Sequence, residues 1–276
     1  IYNGGIYTAA VLDTLLADIL TPENITYEID DAFAGTTVTG HLPICTKREA
    51  LRQIAFAIGA EIRPTRSSAL RIAARPTAST DTIGASRKII GHKVKLDELV
   101  TKAAVTAHSY ALSTSLEELD SGTYAAGEYM IQFSEPCSVA SVVNATLVES
   151  NPNYCKISVS TESKVTIKGY KYVDTTSVFT AARQGLPENT IENIKSVDSA
   201  TLINGSNAAQ AAARLLAYYT MRYIDDGSLL PGDETAGDRV TLVSMGSKSV
   251  DGYIERLVTD LHGGNLQTIE MRGDAV

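Results

Sequence analysis

The sequence predicts an α+β fold dominated by strands. Three observations carry that expectation. Residues 128–179 are an almost unbroken succession of short runs rich in β-branched and aromatic side chains, bounded by Asn, Pro, Ser or Gly. Helical periodicity is confined to three stretches, 6–20, 46–58 and 207–222. A small, polar segment at 76–86 separates a mixed opening region from the strand-rich remainder.

In chain order, residues 6–20 place Ile6, Ala10, Leu12, Leu15, Leu16 and Ile19 at helix-compatible spacing. Thr21-Pro22 stops that helix, because the residue before proline avoids helical backbone angles. Residues 25–29 alternate Ile, Tyr and Ile with polar neighbours, the period of a short strand. Thr46-Lys47-Arg48-Glu49 is a capping box, in which the Thr46 hydroxyl accepts from the Glu49 amide while Glu49 reaches back. It opens an amphipathic helix with Leu51, Ile54, Ala55 and Ile58 on one face and Gly59 as its left-handed terminator. Strands at 60–63 and 69–73 follow, about the polar turn Thr65-Arg66-Ser67-Ser68.

Past the linker, 93–96 and 100–110 read as strands, as do 129–133, 145–148, 154–159 and 165–172. Asn207-Ala208-Ala209-Gln210 is expected to cap a helix through Arg222, whose alanine-rich side allows close packing on a sheet. After a turn at Leu230-Pro231-Gly232-Asp233, strands at 239–243, 250–258 and 265–272 are joined by glycine turns at 245–248 and 262–265. We therefore expect residues 1–90 to form a small α+β domain. Residues 91–110 and 195–276 are expected to build one barrel-like domain, with 111–194 as an inserted antiparallel β domain.

Composition narrows the function. A net charge of −8 argues against a nucleic-acid partner, since phosphate binding needs an excess of Lys and Arg on some face. No apolar run approaches the ~18 residues of a membrane span. Cys45, Cys137 and Cys155 form no CxxC pair, and a chain of 276 residues folds without disulfides, so buried free thiols are expected. The first residue is Ile1, with neither an initiator Met nor a signal-like segment, so the chain is expected to be a piece of a longer protein.

No catalytic, cofactor or metal site is expected. His41, His92, His108 and His262 fall in no HxxxH, HExxH or HxH arrangement, and strand or turn positions account for each. His108, followed two residues later by Tyr110, is the one histidine singled out. The sequence contains no GxSxG, SxxK, GxGxxG or GxxxxGK[ST]. The acidic pairs Asp30-Asp31, Glu117-Glu118 and Asp225-Asp226 read as solvated loop acids, because adjacent residues on a strand point to opposite sides. The one candidate interaction surface is Tyr170 with Tyr172, two residues apart on one strand face and joined there by Lys168.

Several segments together resemble the tail hub or baseplate hub proteins of bacteriophages and prophages, and the related hubs of contractile injection systems. The first is residues 46–60 followed by 66–72. The second is the helix at 207–222, then Pro231-Gly232-Asp233, Gly237-Asp238-Arg239-Val240-Thr241-Leu242, Gly252-Tyr253-Ile254-Glu255-Arg256-Leu257 and Gly263-Gly264. The third runs from Phe133-Ser134-Glu135-Pro136 through 150–155 to Lys168-Gly169-Tyr170, and is similar to an inserted β domain of prophage tail proteins. Two Gly-Asp turns compete within 232–238, and Gly237-Asp238 is favoured because a β-branched strand follows it directly. The resemblance implies a tube-type β-barrel covered by a helix and a homo-oligomer, a trimer, that joins the tail tube to tip or host-recognition parts in the virion tail. It implies no enzyme and no cofactor. The rival expectation is a surface or tail adhesin whose β insert binds a glycan or cell-wall polymer; a concave, Tyr-lined groove near Tyr170 and Tyr172 would favour it.

Overall fold

The computed structural model describes residues 1–65, 69–89, 91–243, 249–260 and 266–276. The chain opens with β1 (Gly5–Val11), α1 (Leu12–Leu20), β2 (Tyr27–Ile29), β3 (Thr37–Leu42), α2 (Lys47–Ile58), β4 (Ala60–Pro64) and β5 (Leu70–Ala74). It continues through β6 (Asp81–Ile83), β7 (Lys93–Leu96), β8 (Lys102–Leu112), β9 (Glu117–Tyr124), β10 (Gly127–Gln132), β11 (Cys137–Val143), β12 (Thr146–Asn151) and β13 (Tyr154–Val159). The long β14 (Ser163–Ala182), β15 (Ile194–Val197), α3 (Ala208–Thr220), β16 (Tyr223–Leu229), β17 (Arg239–Leu242), β18 (Val250–Asp260) and β19 (Leu266–Ala275) complete it. The fold is α+β and strand-dominated, as expected.

Three clusters of buried apolar residues organise these elements. In the first, α1 buries Leu12, Leu15, Leu16, Ile19 and Leu20, a face set by their spacing of three and four residues. Helix α2 adds Ala50, Leu51, Ile54 and Ala57. Its start is the predicted one, with the Thr46 hydroxyl accepting from the Glu49 amide at 3.1 Å. The reciprocal arm of the box differs: Glu49 accepts from the Gln53 side chain at 3.3 Å, one turn further along the helix. Gly59 ends the helix at φ 78°, donating its amide to the Ala55 carbonyl at 2.8 Å. Val105 and Ala107 of β8, Leu202, Ile203 and the alanines Ala208, Ala211 and Ala212 of α3 close the same core.

The second cluster lines a six-stranded sheet of order β6-β17-β18-β19-β16-β7, with Ile83, Leu229, Val240, Leu242, Val250, Ile254, Ile269 and Met271 buried. Gly237-Asp238 does precede its strand β17. The Asp238 carboxylate accepts from the Thr235 amide at 2.8 Å and hydroxyl at 2.9 Å, which shapes that turn. The third cluster, Cys155, Ile157, Val159, Val165 and Ile167, lies between the β10-β13-β12 sheet and the strands β9, β11 and β14.

Several elements differ from the sequence expectation. Residues 6–11 are strand, not helix: Ile6, Tyr7 and Thr8 favour extended backbone, and β1 pairs antiparallel with β3. The linker is docked. Ile83, an apolar residue in a small polar segment, is wholly buried, and β6 pairs in parallel with β17. Strand β8 pairs with β14 along its whole length and in parallel with β15, so residues 102–112 lie in the helix-bearing core and not in the C-terminal sheet. The six-stranded sheet is open, with β6 and β7 as its edges, so the tube-type barrel expected from the resemblance is a half-barrel within one chain. Helix α3 covers β8 and β14. Asn207 shapes the start of α3 without a side-chain cap. Its Oδ1 accepts from the Asn204 amide at 2.8 Å, and its Nδ2 donates to the Leu202 carbonyl at 3.2 Å. The turns at 245–248 and 262–265, and Arg66-Ser67-Ser68 of the turn at 65–68, lie outside the described residues.

A close backbone approach in the first core occurs at Gly40 (φ 141°). A Cβ there would lie 2.6 Å from the Thr201 carbonyl oxygen and 2.9 Å from the Leu202 Cα. Gly40→Ala is therefore expected to lower stability by ~2 kcal/mol or more through backbone strain and displacement of the 200–203 segment. Gly205→Ala, where a Cβ meets open space, serves as the control and should shift the denaturation midpoint far less.

Candidate functional site

Strand β14 changes partners along its length. From Ser163 to Gly169 it pairs with β9, from Thr166 to Lys171 with β11, and from Tyr172 onward with β8. Where the partners change, a cleft of about 490 Å³ opens, lined by His41, Tyr110, Glu117, Glu135, Lys171, Tyr172 and Asp174 among others. Tyr172 lines this cleft and Tyr170 does not; both are half-buried, and Lys168 is exposed. The structure thus pairs Tyr172 with Tyr110, from the neighbouring strand, in one concavity. The Tyr110 ring meets the His41 ring edge-on at 5.4 Å and stacks on His108 at 6.0 Å.

Two polar networks support the cleft wall. In the first, Asn153 is buried just before β13 and joins the β insert to the N-terminal segment. Its Nδ2 donates to the Asn3 carbonyl at 2.7 Å and the Leu42 carbonyl at 2.8 Å. With both amide hydrogens committed, its Oδ1 faces His41 Nε2 at 2.7 Å, so that nitrogen donates. Burial lowers the His41 pKa below the ordinary histidine value, and the Asn153 bond partly opposes it. In the second network, His108 Nδ1 lies 2.7 Å from the Asp174 carboxylate and its Nε2 lies 3.2 Å from the Asp198 carbonyl. Burial, reinforced by the Asp174 charge, raises the Tyr110 pKa. Lys171 lies 3.2 Å from Glu135 and 3.6 Å from Glu117, so the charges at the rim are paired.

The other sequence candidates have structural roles. Asp225 is not a solvated loop acid: it sits on β16 with no exposure, 3.1 Å from Lys88 Nζ and 2.7 Å from His92 Nδ1. His92 Nε2 faces the Ser228 carbonyl at 2.8 Å, so every charged group of this buried cluster has a partner. Asp30 pairs with Arg71 at 2.7 Å. Cys137 and Cys155 are buried free thiols, pushed up by burial to about 12 and about 11, whereas Cys45 is only half-buried. His262 lies outside the described residues. Among the described residues there is no cluster of three or more potential metal ligands, and no helix is long and apolar enough to cross a membrane. Sequence reasoning missed Asn153 and Asp174. The signals near the cleft were Tyr172, from strand alternation, and the His108–Tyr110 spacing.

The fold belongs to a recognisable class: it is the fold of phage-type tail proteins. The chain is similar to the 43 kDa tail protein of prophage MuSo2 from Shewanella oneidensis (TM-score 0.52, 11% identity), covering 97% of this chain and 66% of that one. It is similar to a prophage tail protein from Listeria monocytogenes (TM-score 0.51, 13% identity), covering 98% and 67%. A chain in the virion of a native gene transfer agent particle is also similar (TM-score 0.53, 14% identity), covering 96% and 48%. The chain therefore spans from about half to two-thirds of the lengths of these proteins. No protein-family model matches the sequence, and the search of curated proteins returns no match.

Asn153→Leu would leave His41 Nε2 and two backbone carbonyls without their partner. It is expected to cost ~3 kcal/mol or more, measured by chemical denaturation. Because the folded state depresses the His41 pKa, the unfolded chain takes up this proton first. The His41 contribution to stability is therefore complete above its ordinary value of 6.5 and is lost as pH falls below it. His41→Gln should flatten that part of the stability–pH profile.

Proposed function

We propose that the chain is a non-enzymatic structural component of a phage-type tail or baseplate hub, acting in the virion tail after assembly in the bacterial cytoplasm. In this reading it joins the tail tube to tip or host-recognition parts by ring assembly, with a trimer as the closed ring. In this reading the six-stranded sheet is the tube-type part, the strands from β9 through the first half of β14 are the inserted β part, and residues 102–112 with α3 join α1 and α2 in the α+β part. Their sheets share strands at the boundaries.

The observation that carries this reading is the open six-stranded sheet. Its β7 edge exposes Lys93, Val94, Lys95 and Leu96, while its β6 edge exposes Asp81 and Thr82. An unpaired edge is a template for another strand, and two edges of opposite charge on one chain suit a repeated head-to-tail contact that closes a ring. A third open edge supports the same reading: beyond Tyr172, β14 pairs among the described residues with β8 alone, and exposes Val173 and Val178. A further reading, the glycan-binding or cell-wall-binding adhesin, is favoured by the concave cleft that joins Tyr110 and Tyr172 to His41, Glu135 and Lys171.

Light scattering across a wide concentration range tests the assembly. A discrete trimer, or a concentration-driven step toward one, is expected, and the double substitution Lys93→Glu with Lys95→Glu should weaken it. A strict monomer at the highest concentrations would overturn ring assembly by this chain and move the adhesin reading forward. Glycan-array binding abolished by Tyr172→Ala would then support the adhesin.

A further inference from the structure

A second cavity, remote from the Tyr172 cleft, lies where the C-terminus of α2, one side of α3 and the six-stranded sheet meet. It encloses about 600 Å³, within the usual range of small-ligand sites. Its apolar wall includes Phe56, Leu215 and Tyr218, and Tyr253 faces it from β18. Three arginines reach it, and two of them are already neutralised. Arg75 donates to Glu61 and lies over the Tyr253 ring at 4.2 Å, and Arg239 donates to Asp251 at 2.9 Å.

Arg214 is different. Its Nη2 donates to the Phe56 carbonyl at 2.9 Å, and its guanidinium lies across Gly59, where a Cβ would come within 2.7 Å of it. Among the described residues no carboxylate pairs with it and no acceptor contacts its Nε or Nη1. Burial alone lowers its pKa, with no anion offsetting the penalty. A half-buried guanidinium with free donors, bordering an apolar hollow, is a carboxylate receptor with a side pocket. Asp274 on β19 also lines the cavity, and burial raises its carboxyl pKa, opposed by Arg183 and Arg239.

We propose that this cavity binds a carboxylate carried next to a phenyl-sized apolar group, with Arg214 taking the carboxylate and Phe56, Leu215 and Tyr218 enclosing the apolar part. Two sources share that chemistry: a free small acid, and the C-terminal residue of a neighbouring polypeptide.

Calorimetric titration of the whole chain with three probes separates them: phenylacetate, a short peptide ending in phenylalanine with a free carboxylate, and the same peptide amidated. The carboxylates are expected to bind at least about tenfold more tightly than the amide, as a charge-assisted contact requires. Phenylacetate matching the acid peptide identifies a small acid; a tighter acid peptide identifies a polypeptide terminus. Arg214→Gln should weaken binding about tenfold by the same loss of charge assistance. Because that change also removes the bond to α2, Ala217→Glu, at an exposed position on the rim, is the second variant. It should weaken the carboxylates without altering the thermal midpoint. Absence of binding by either carboxylate, equal binding of acid and amide, or unchanged binding in Ala217→Glu overturns the proposal.

Discussion

A strand of 20 residues needs partner strands along its length, because an isolated extended segment gains too little in water to offset the entropy of ordering it. Strand β14 meets that requirement with three different strands in turn, and much of the architecture follows from this. Its first half, against β9 and β11, is one wall of the β insert. Its second half, against β8, is the sheet that α3 covers. The insert is therefore continuous with the core through one unbroken backbone. The Tyr172 cleft sits where the strand passes from one set of partners to the other.

Polar side chains complete what the strand begins. Asn153 spends its whole side chain on the N-terminal segment and His41. Asn151 donates to the Gly4 carbonyl at 3.1 Å and Asn3 to the Tyr154 hydroxyl at 3.1 Å, so the insert is held at several points by neutral hydrogen bonds. The join between α3 and the six-stranded sheet uses a different chemistry. Arg272 pairs with Asp97 at 2.6 Å and lies over the Tyr218 ring at 4.9 Å, and Arg75 stacks on Tyr253. Arginine suits such a seam because its flat, weakly hydrated cation packs on rings while its edge makes ion pairs. The chain thus uses hydrogen-bonded amides at one junction and arginine–tyrosine stacking at the other.

Asp225, buried between Lys88 and His92, is an ionisable group taken up in holding elements together. The likeness to phage-type tail proteins is a likeness of fold at 10–14% identity.

The elements legible in the sequence were those decided by neighbours along the chain. The Thr46–Gly59 helix is written in a hydroxyl at its start, a glycine at its end and an apolar stripe between them. The 154–159 strand and the Gly237-Asp238 turn are equally local. What the sequence alone could not determine depended on partners far away. Residues 6–11 became a strand because β3 was available to pair with them, and Ile83 pulled a polar linker onto β17. Asp225 was buried because Lys88 and His92, more than 130 residues away, met it there. The candidate site divides the same way. Tyr172 could be named from strand alternation, but its company of Tyr110, His41 and Asp174 depended on which strand β14 chose after Lys171. Strand pairing is specified by long-range complementarity of whole faces, and local periodicity carries no record of it.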